Sequence, residues 1–175
     1  GEQGSHSRAA RGLSFLWGKT VRVLGIDPGL ERLGYAVLDS TRGAPSLVSY
    51  GLVTTERSDP VEKRLLVIYE DVRGIIEHYH PERIMIEQLI FARNVTTAMM
   101  VSEVRGVLLL LSAQMKLRVE EVSPSQLKRI ICGNGRAPKA QIQRSVQCLL
   151  GLSEVPSPDD VADAVALALV GFART

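Results

Sequence analysis

VRVLGIDPG, residues 21–29, is an apolar, partly β-branched run that ends on an acid and breaks into a Pro-Gly turn. Val21–Asp27 therefore reads as a short buried strand, with Pro28-Gly29 turning the chain away from it. Leu33–Asp39 (LGYAVLD) reads as a second strand and Ser46–Thr54 (SLVSYGLVT) as a third. The Ser, Thr, Gly and Pro between Asp39 and Pro45 form a hairpin-type connection. Three strands with short loops predict an antiparallel meander.

Past the meander the hydrophobic period changes. Leu65, Ile68, Tyr69, Val72, Ile75, Ile76 and Tyr79 recur at steps of three and four, so a helix opens at Pro60 and stops before Pro81. Arg83–Glu87 (RIMIE) has the look of a buried strand, and a second helix runs from about Thr97 to Met115. Its stretch Val107–Leu111 (VLLLL) is apolar on every side, which a helix wetted along one face is not. That stretch is expected either at the centre of the core or against another subunit. Leu117–Val122 reads as a fifth strand, Pro124–Ile131 as a short helix and Cys132–Pro138 as a turn-rich loop. Lys139–Leu150 carries Ile142, Val146 and Leu149 on one helical stripe, and Asp159–Ala173 makes a last helix after Pro156 and Pro158. The sum is an α/β fold: a mixed five-stranded sheet, an antiparallel meander of three strands plus two, flanked by helices.

Composition narrows the classes without choosing among them. The 175 residues suit one core; 45% are apolar and 23% charged, as in an ordinary soluble domain. A net charge of +2, from 21 basic and 19 acidic residues, does not by itself imply nucleic acid, so such a partner must be argued from where the charges sit. Cys132 and Cys148 lie far apart with no zinc-type spacing, and read as reduced thiols. The apolar run Val107–Leu111 is far too short to span a bilayer, so no membrane partner is expected. Residues 1–20 begin GEQGSHSRAA and read as a tag-like, flexible leader, leaving 21–175 as one domain.

Four carboxylates stand out by their surroundings. Asp27 and Glu87 each end an apolar strand, so both emerge at an end of the sheet, where an oxygen-ligand metal site can form. Asp160 and Asp163, three apart at the start of a helix, share one face. Taken singly, each has an ordinary explanation: turn chemistry for Asp27, a partnered rim residue for Glu87, capping and dipole compensation at residues 159 and 160. Together they are harder to dismiss, because an acid beside an apolar run is costly to bury. Four converging carboxylates repel one another unless cations neutralise them, and an all-oxygen set selects Mg²⁺ or Mn²⁺. Two such ions roughly 3.5–4 Å apart can activate water and stabilise the leaving oxygen of a phosphodiester. His6 falls in the leader, and His78 and His80 end a helix, so no histidine nucleophile is expected.

The motifs resemble a known family. GIDPGLERLGYAV (Gly25–Val37) is similar to the first hairpin of the RuvC resolvases, whose GIDPG carries the first catalytic Asp. IEQLIFARN (Ile86–Asn94) resembles the second motif, with Glu87 as its acid. DDVADAVALA (Asp159–Ala168) resembles the closing D-x-x-D-A helix; that spacing selects Asp160 over Asp159, with Asp163 as its partner. SQLKRIICGNGRAPKAQIQ (Ser125–Gln141) matches the segment between them, including Lys128 and Lys139. The resemblance implies an RNase H-like fold and a homodimer in the bacterial cytoplasm. It implies paired, Mg²⁺-dependent nicks at a four-way DNA junction, in recombination and repair, and partnership with the branch-migration motor RuvAB. On that reading Asp27 bridges two ions, Glu87, Asp160 and Asp163 complete their shells, and Lys139 offsets developing charge. Members of the family carry an aromatic wedge three residues after the motif Glu. Ile90 stands there in this chain, so the role passes to Phe91 or is weaker. Arg93, Asn94, Arg105, Lys128, Arg136 and Lys139 flank the acidic motifs and are the expected phosphate contacts.

Three other readings compete. A phosphate loop of the actin and sugar-kinase type also contains a GIDPG-like turn, but needs a second glycine-rich loop and a second domain. A related nuclease could cut RNA in hybrids. A non-catalytic binder of branched DNA would favour neutral or basic residues where this chain has four acids.

Overall fold

The computed structural model describes residues 20–41, 44–89 and 95–173. The elements are β1 (Val21–Asp27), β2 (Arg32–Thr41), β3 (Ala44–Thr54), α1 (Val61–Tyr79), β4 (Arg83–Glu87), α2 (Val95–Gln114), β5 (Arg118–Val122), α3 (Pro124–Cys132), α4 (Lys139–Leu150) and α5 (Asp159–Phe172). The sheet order is β3-β2-β1-β4-β5. β1 pairs antiparallel with β2 and parallel with β4; β2–β3 is antiparallel and β4–β5 parallel. This is the expected meander of three plus two.

The hairpin is longer than its turn-rich composition suggests. The β2–β3 ladder continues through Ser40↔Pro45 to Thr41↔Ala44. Pro45 is tolerated because β3 is an edge strand, where a missing backbone donor costs nothing in the ladder.

Strand alternation sorts the interior into two cores. Val23, Ala36, Leu38, Met85 and Val122 face α3, α4 and α5. Leu24, Ile26, Leu33, Val37, Ile84 and Ile86 face α1 and α2. A period of two then fixes the acids: Asp27 follows Val23 and Gly25, and Glu87 follows Arg83 and Met85, so both lie on the α5 face.

The central helix is α5, not the leucine-rich one. Every residue of α5 from Ala164 to Gly171 is buried, whereas Leu109 and Leu110 of α2 are exposed. Of the two places expected for Val107–Leu111, the centre of the core therefore does not hold for the whole stretch. Leu108 and Leu111 enter the core, while Leu109 and Leu110 between them face outward. The bilayer estimate also needs correction. α2 as a whole, at 20 residues and a mean hydropathy of 1.5, is long and apolar enough to cross a membrane by length and composition. Here one side of it is packed on α1 and β5.

α5 lies against the sheet because glycine leaves room for it. A Cβ on Gly25 would stand 2.1 Å from the Ala164 carbonyl oxygen and 2.6 Å from the Ala168 nitrogen. One on Gly34 would stand 2.1 Å from the Asp160 carbonyl oxygen. Backbone at that range cannot yield without moving the helix that carries two of the acids. Gly25→Ala should therefore destabilise the fold by about 2–3 kcal/mol, the cost of overpacking a tight core. Urea unfolding checks this; a loss under about 0.5 kcal/mol would mean α5 is free to shift.

Candidate active site

β1 and β4 run parallel, with Ile26 opposite Ile86, so the next residues, Asp27 and Glu87, leave the sheet side by side. Asp27 also pairs with Gly34, the residue under the first turn of α5. Three elements thus deliver the acids to one end of the sheet. A cleft of ≈ 280 Å³ opens there, lined by Asp27, Glu87 and Asp163, by Lys128 and Lys139, and by an apolar wall that includes Leu127 and Ile142.

Electrostatics reports the convergence. Burial, then repulsion from Asp163, Asp160 and Glu87, pushes the Asp27 carboxyl up to about 7, against a smaller opposing pull from Lys139. Glu87 is raised by burial and by Asp163, with Lys128 and Lys139 opposing. Asp163 is raised by burial, while Lys139 works to lower it and Asp159 and Asp160 add repulsion. Lys139 Nζ donates to Asp163 Oδ2 at 3.1 Å and lies 3.2 Å from Asp159 Oδ2. Desolvation opposes the charge on that lysine, but these carboxylates outweigh it and its pKa rises. Lys139 is the first residue of α4, whose first turn has no acid. A cation is poorly placed at a helix N-terminus, so the acids across the cleft supply the compensation.

Asp159 and Asp160 diverge. Asp159 is exposed and accepts from Gln143 Nε2 at 3.2 Å. Asp160 turns inward; its Oδ2 is buried without a hydrogen bond, although an Arg32 guanidinium nitrogen lies 2.9 Å away. The distance fits an ion pair without a hydrogen bond, so this buried oxygen is met by a charge alone.

Among the described residues no three acids already form a closed ligand set, and Arg32 and Lys139 hold two of the four. All the donors are carboxylate oxygens, their repulsion is relieved by positive charge, and one buried oxygen has no hydrogen bond. The set fits a hard divalent ion.

The other expected residues separate. Lys128 lines the cleft; Arg136 is exposed on the loop after α3, and its backbone nitrogen donates to Asn134 Oδ1. Arg105 requires a correction. It is buried on the opposite, α2 side of the sheet, donating to the Glu87 carbonyl at 2.7 Å and to Glu121 at 2.6 Å. It steadies the end of β4 from behind and cannot meet a phosphate. An arginine inside an apolar helix was the available signal for a buried pair. Ile90, Phe91, Arg93 and Asn94 lie outside the described residues. The sequence reading missed Arg32, whose alternation on β2 places it beneath Asp160.

The family model for the crossover junction endodeoxyribonuclease RuvC matches residues 23–171. The chain is 45% identical over 152 residues to the crossover junction endodeoxyribonuclease RuvC of Thermomicrobium roseum, covering 87% of this chain and 93% of that one. The protein of that name from Caldicellulosiruptor saccharolyticus is 45% identical over 150 residues, 85% of this chain and 90% of its own. The solved structure of Thermus thermophilus RuvC with a Holliday junction substrate superposes with a TM-score of 0.83 at 30% identity, covering 88% of this chain and 94% of that one. A yeast mitochondrial Holliday junction resolvase, 15% identical with a TM-score of 0.63, shares the fold.

Proposed function

This chain belongs to the RuvC family of crossover junction endodeoxyribonucleases, and from that premise we propose how its cleft resolves a four-way DNA junction. The observation that carries the reading is the convergence of acids from β1, β4 and α5 on one cleft beside Lys128 and Lys139. Asp27, Glu87, Asp160 and Asp163 would hold Mg²⁺, or Mn²⁺ in its place, with two ions per site. When bound, the ions supply activation of a water and stabilisation of the leaving 3′ oxygen.

The chain's own groups do the rest. Lys128 and Lys139, on the rim of the cleft, attract the phosphodiester that the acids alone would repel. Lys139 is held toward Asp163 and so sits where charge develops on the phosphate, stabilising it electrostatically. Leu127 and Ile142 keep one wall apolar, which strengthens these charge interactions. Cleavage leaves a 5′-phosphate and a 3′-hydroxyl that ligase can rejoin.

Two nicks at one junction call for two sites, and we assign the homodimer contact to α2. Val95, Met99, Leu109 and Leu110 are exposed along that helix at helical spacing, with Leu110 at 58%. An apolar stripe of this kind suits a two-fold contact matching the junction's symmetry. Leu110→Asp should convert a dimer to monomers in sedimentation and suppress paired nicking while leaving the fold intact. A wild type that sediments as a monomer at working concentration would remove the assignment. Family membership also supports a place in the bacterial cytoplasm beside the RuvAB motor.

The functional test is cleavage of a synthetic mobile junction beside a linear duplex and an RNA–DNA hybrid, with Mg²⁺ or EDTA. Paired ligatable nicks in the junction alone, lost in EDTA, are expected. Cutting of the hybrid instead would keep the metal site and change the substrate; binding without cutting would leave a binding module.

A further inference from the structure

Arg64, on the first turn of α1, is a buried cation that the mechanism above does not use. It is 8% exposed. Its Nε donates to Thr55 Oγ1 at 2.9 Å, and Thr55 Oγ1 donates to the Leu30 carbonyl at 2.6 Å. That chain fastens the β1–β2 turn to α1 with one of the guanidinium's five donors. Among the described residues no carboxylate pairs with Arg64, and no other acceptor takes its Nη hydrogens. The Nη nitrogens are not sealed off either, since Asp160 Oδ2 is the one buried side-chain oxygen or nitrogen left without a partner among the described residues. A buried guanidinium without a counter-charge is costly, and anchoring a threonine does not require one.

Arg64 lines a groove of ≈ 460 Å³ together with Gly29, Glu31, Arg32, Arg57 and Asp160. Asp160 belongs to the acid set, so the groove adjoins the cleft. Arg57 is almost wholly exposed, with Glu31 at 3.3 Å as its ion pair. Arg32 leans on Asp160. Three guanidinium groups thus face two carboxylates, and one of those carboxylates is claimed by the acid set.

We infer that this groove seats a backbone phosphate of the bound DNA strand, other than the one that is cut, on the Nη pair of Arg64 with Arg57 as the outer contact. The inference rests on the nuclease reading above. A guanidinium fork matches phosphate geometry in a bidentate way, and this fork is pre-oriented by Thr55. A phosphate held here carries no sequence information but fixes the register of the strand that reaches the acids.

The test is fluorescence anisotropy of a labelled synthetic four-way junction in EDTA, from roughly 50 to 200 mM salt. Wild type is compared with Arg57→Ala, Arg64→Gln and Thr55→Val. Each arginine variant should bind about three- to tenfold more weakly, with the slope of log affinity against log salt shallower by about 1. Thr55→Val, which cuts the anchor and keeps the charge, should keep the wild-type slope; a purely structural Arg64 would move stability and leave every slope alone. Wild-type slopes in both arginine variants overturn the site. If Arg64→Gln does not fold, Arg57→Ala decides alone, its exposed side chain having no packing to lose. Wild type that prefers linear duplex to the junction overturns the junction reading instead, before any variant is made.

Discussion

Asp27→Asn is expected to cut a four-way junction at least about a thousandfold more slowly than wild type at saturating Mg²⁺, a barrier increase of roughly 4 kcal/mol. The substitution preserves volume and shape and removes one negative charge. That charge lies where burial and three other acids act on one carboxyl, so on the proposed reading its loss should weaken the hold on a divalent ion most. Junction binding should stay within about twofold of wild type, because the groups proposed to meet phosphates, Lys128, Lys139 and the arginine groove, make no hydrogen bond to Asp27. Single-turnover cleavage and anisotropy separate the two. Cleavage within tenfold of wild type would remove Asp27 from the metal set; a parallel collapse of binding would make its role one of folding.

Much of this site was legible in the chain because local pattern and global position agree. An apolar run ending in an acid, twice, locates Asp27 and Glu87 on strand ends, and period-two alternation places both on one face. The D-x-x-D spacing puts Asp160 and Asp163 on one side of α5. What the pattern could not carry was depth. Gly25, Gly34 and the alanines of α5 are individually unremarkable, yet together they let helix backbone touch strand backbone, making α5 the central helix. The leucines of α2 look more buried and are not, because hydrophobicity says that a side chain avoids water without saying which surface covers it. Arg105 failed for a related reason: its charge suggested phosphate, while its position on the far side of the sheet gave it Glu121 and the Glu87 carbonyl. Arg64 escaped because it falls in no acidic motif, and Arg32 because nothing within GIDPGLERLGYAV marks it out; the meaning of both depends on a groove formed by segments distant in sequence.

The same repulsion that prepares the cleft for cations should make the ion-free protein lose stability as pH rises. Asp27 titrates near 3.8 without the fold and at about 7 within it. Between those values the folded state holds a proton that the unfolded state has released, so stability falls with increasing pH. The contribution is fully present below the unfolded pKa and is lost as pH passes the folded one. The whole shift corresponds to something on the order of 4 kcal/mol, of which about 2 kcal/mol falls between pH 5.5 and 8. Glu87 and Asp163 are raised as well and act with the same sign. Urea unfolding in EDTA should therefore give a weaker protein at pH 8 than at pH 5.5, and Asp27→Asn should flatten the difference. If Mg²⁺ binds the ionised acids and not the unfolded chain, as proposed, it should restore stability at pH 8 and do little at pH 5.5. Equal stabilisation by Mg²⁺ at both pH values would mean that the ions bind elsewhere. An unchanged pH slope in Asp27→Asn would mean that this carboxyl is not the group under strain. If both expectations hold, the instability of the empty cleft and its affinity for cations have one source: negative charges that the fold forces together and cannot neutralise by itself.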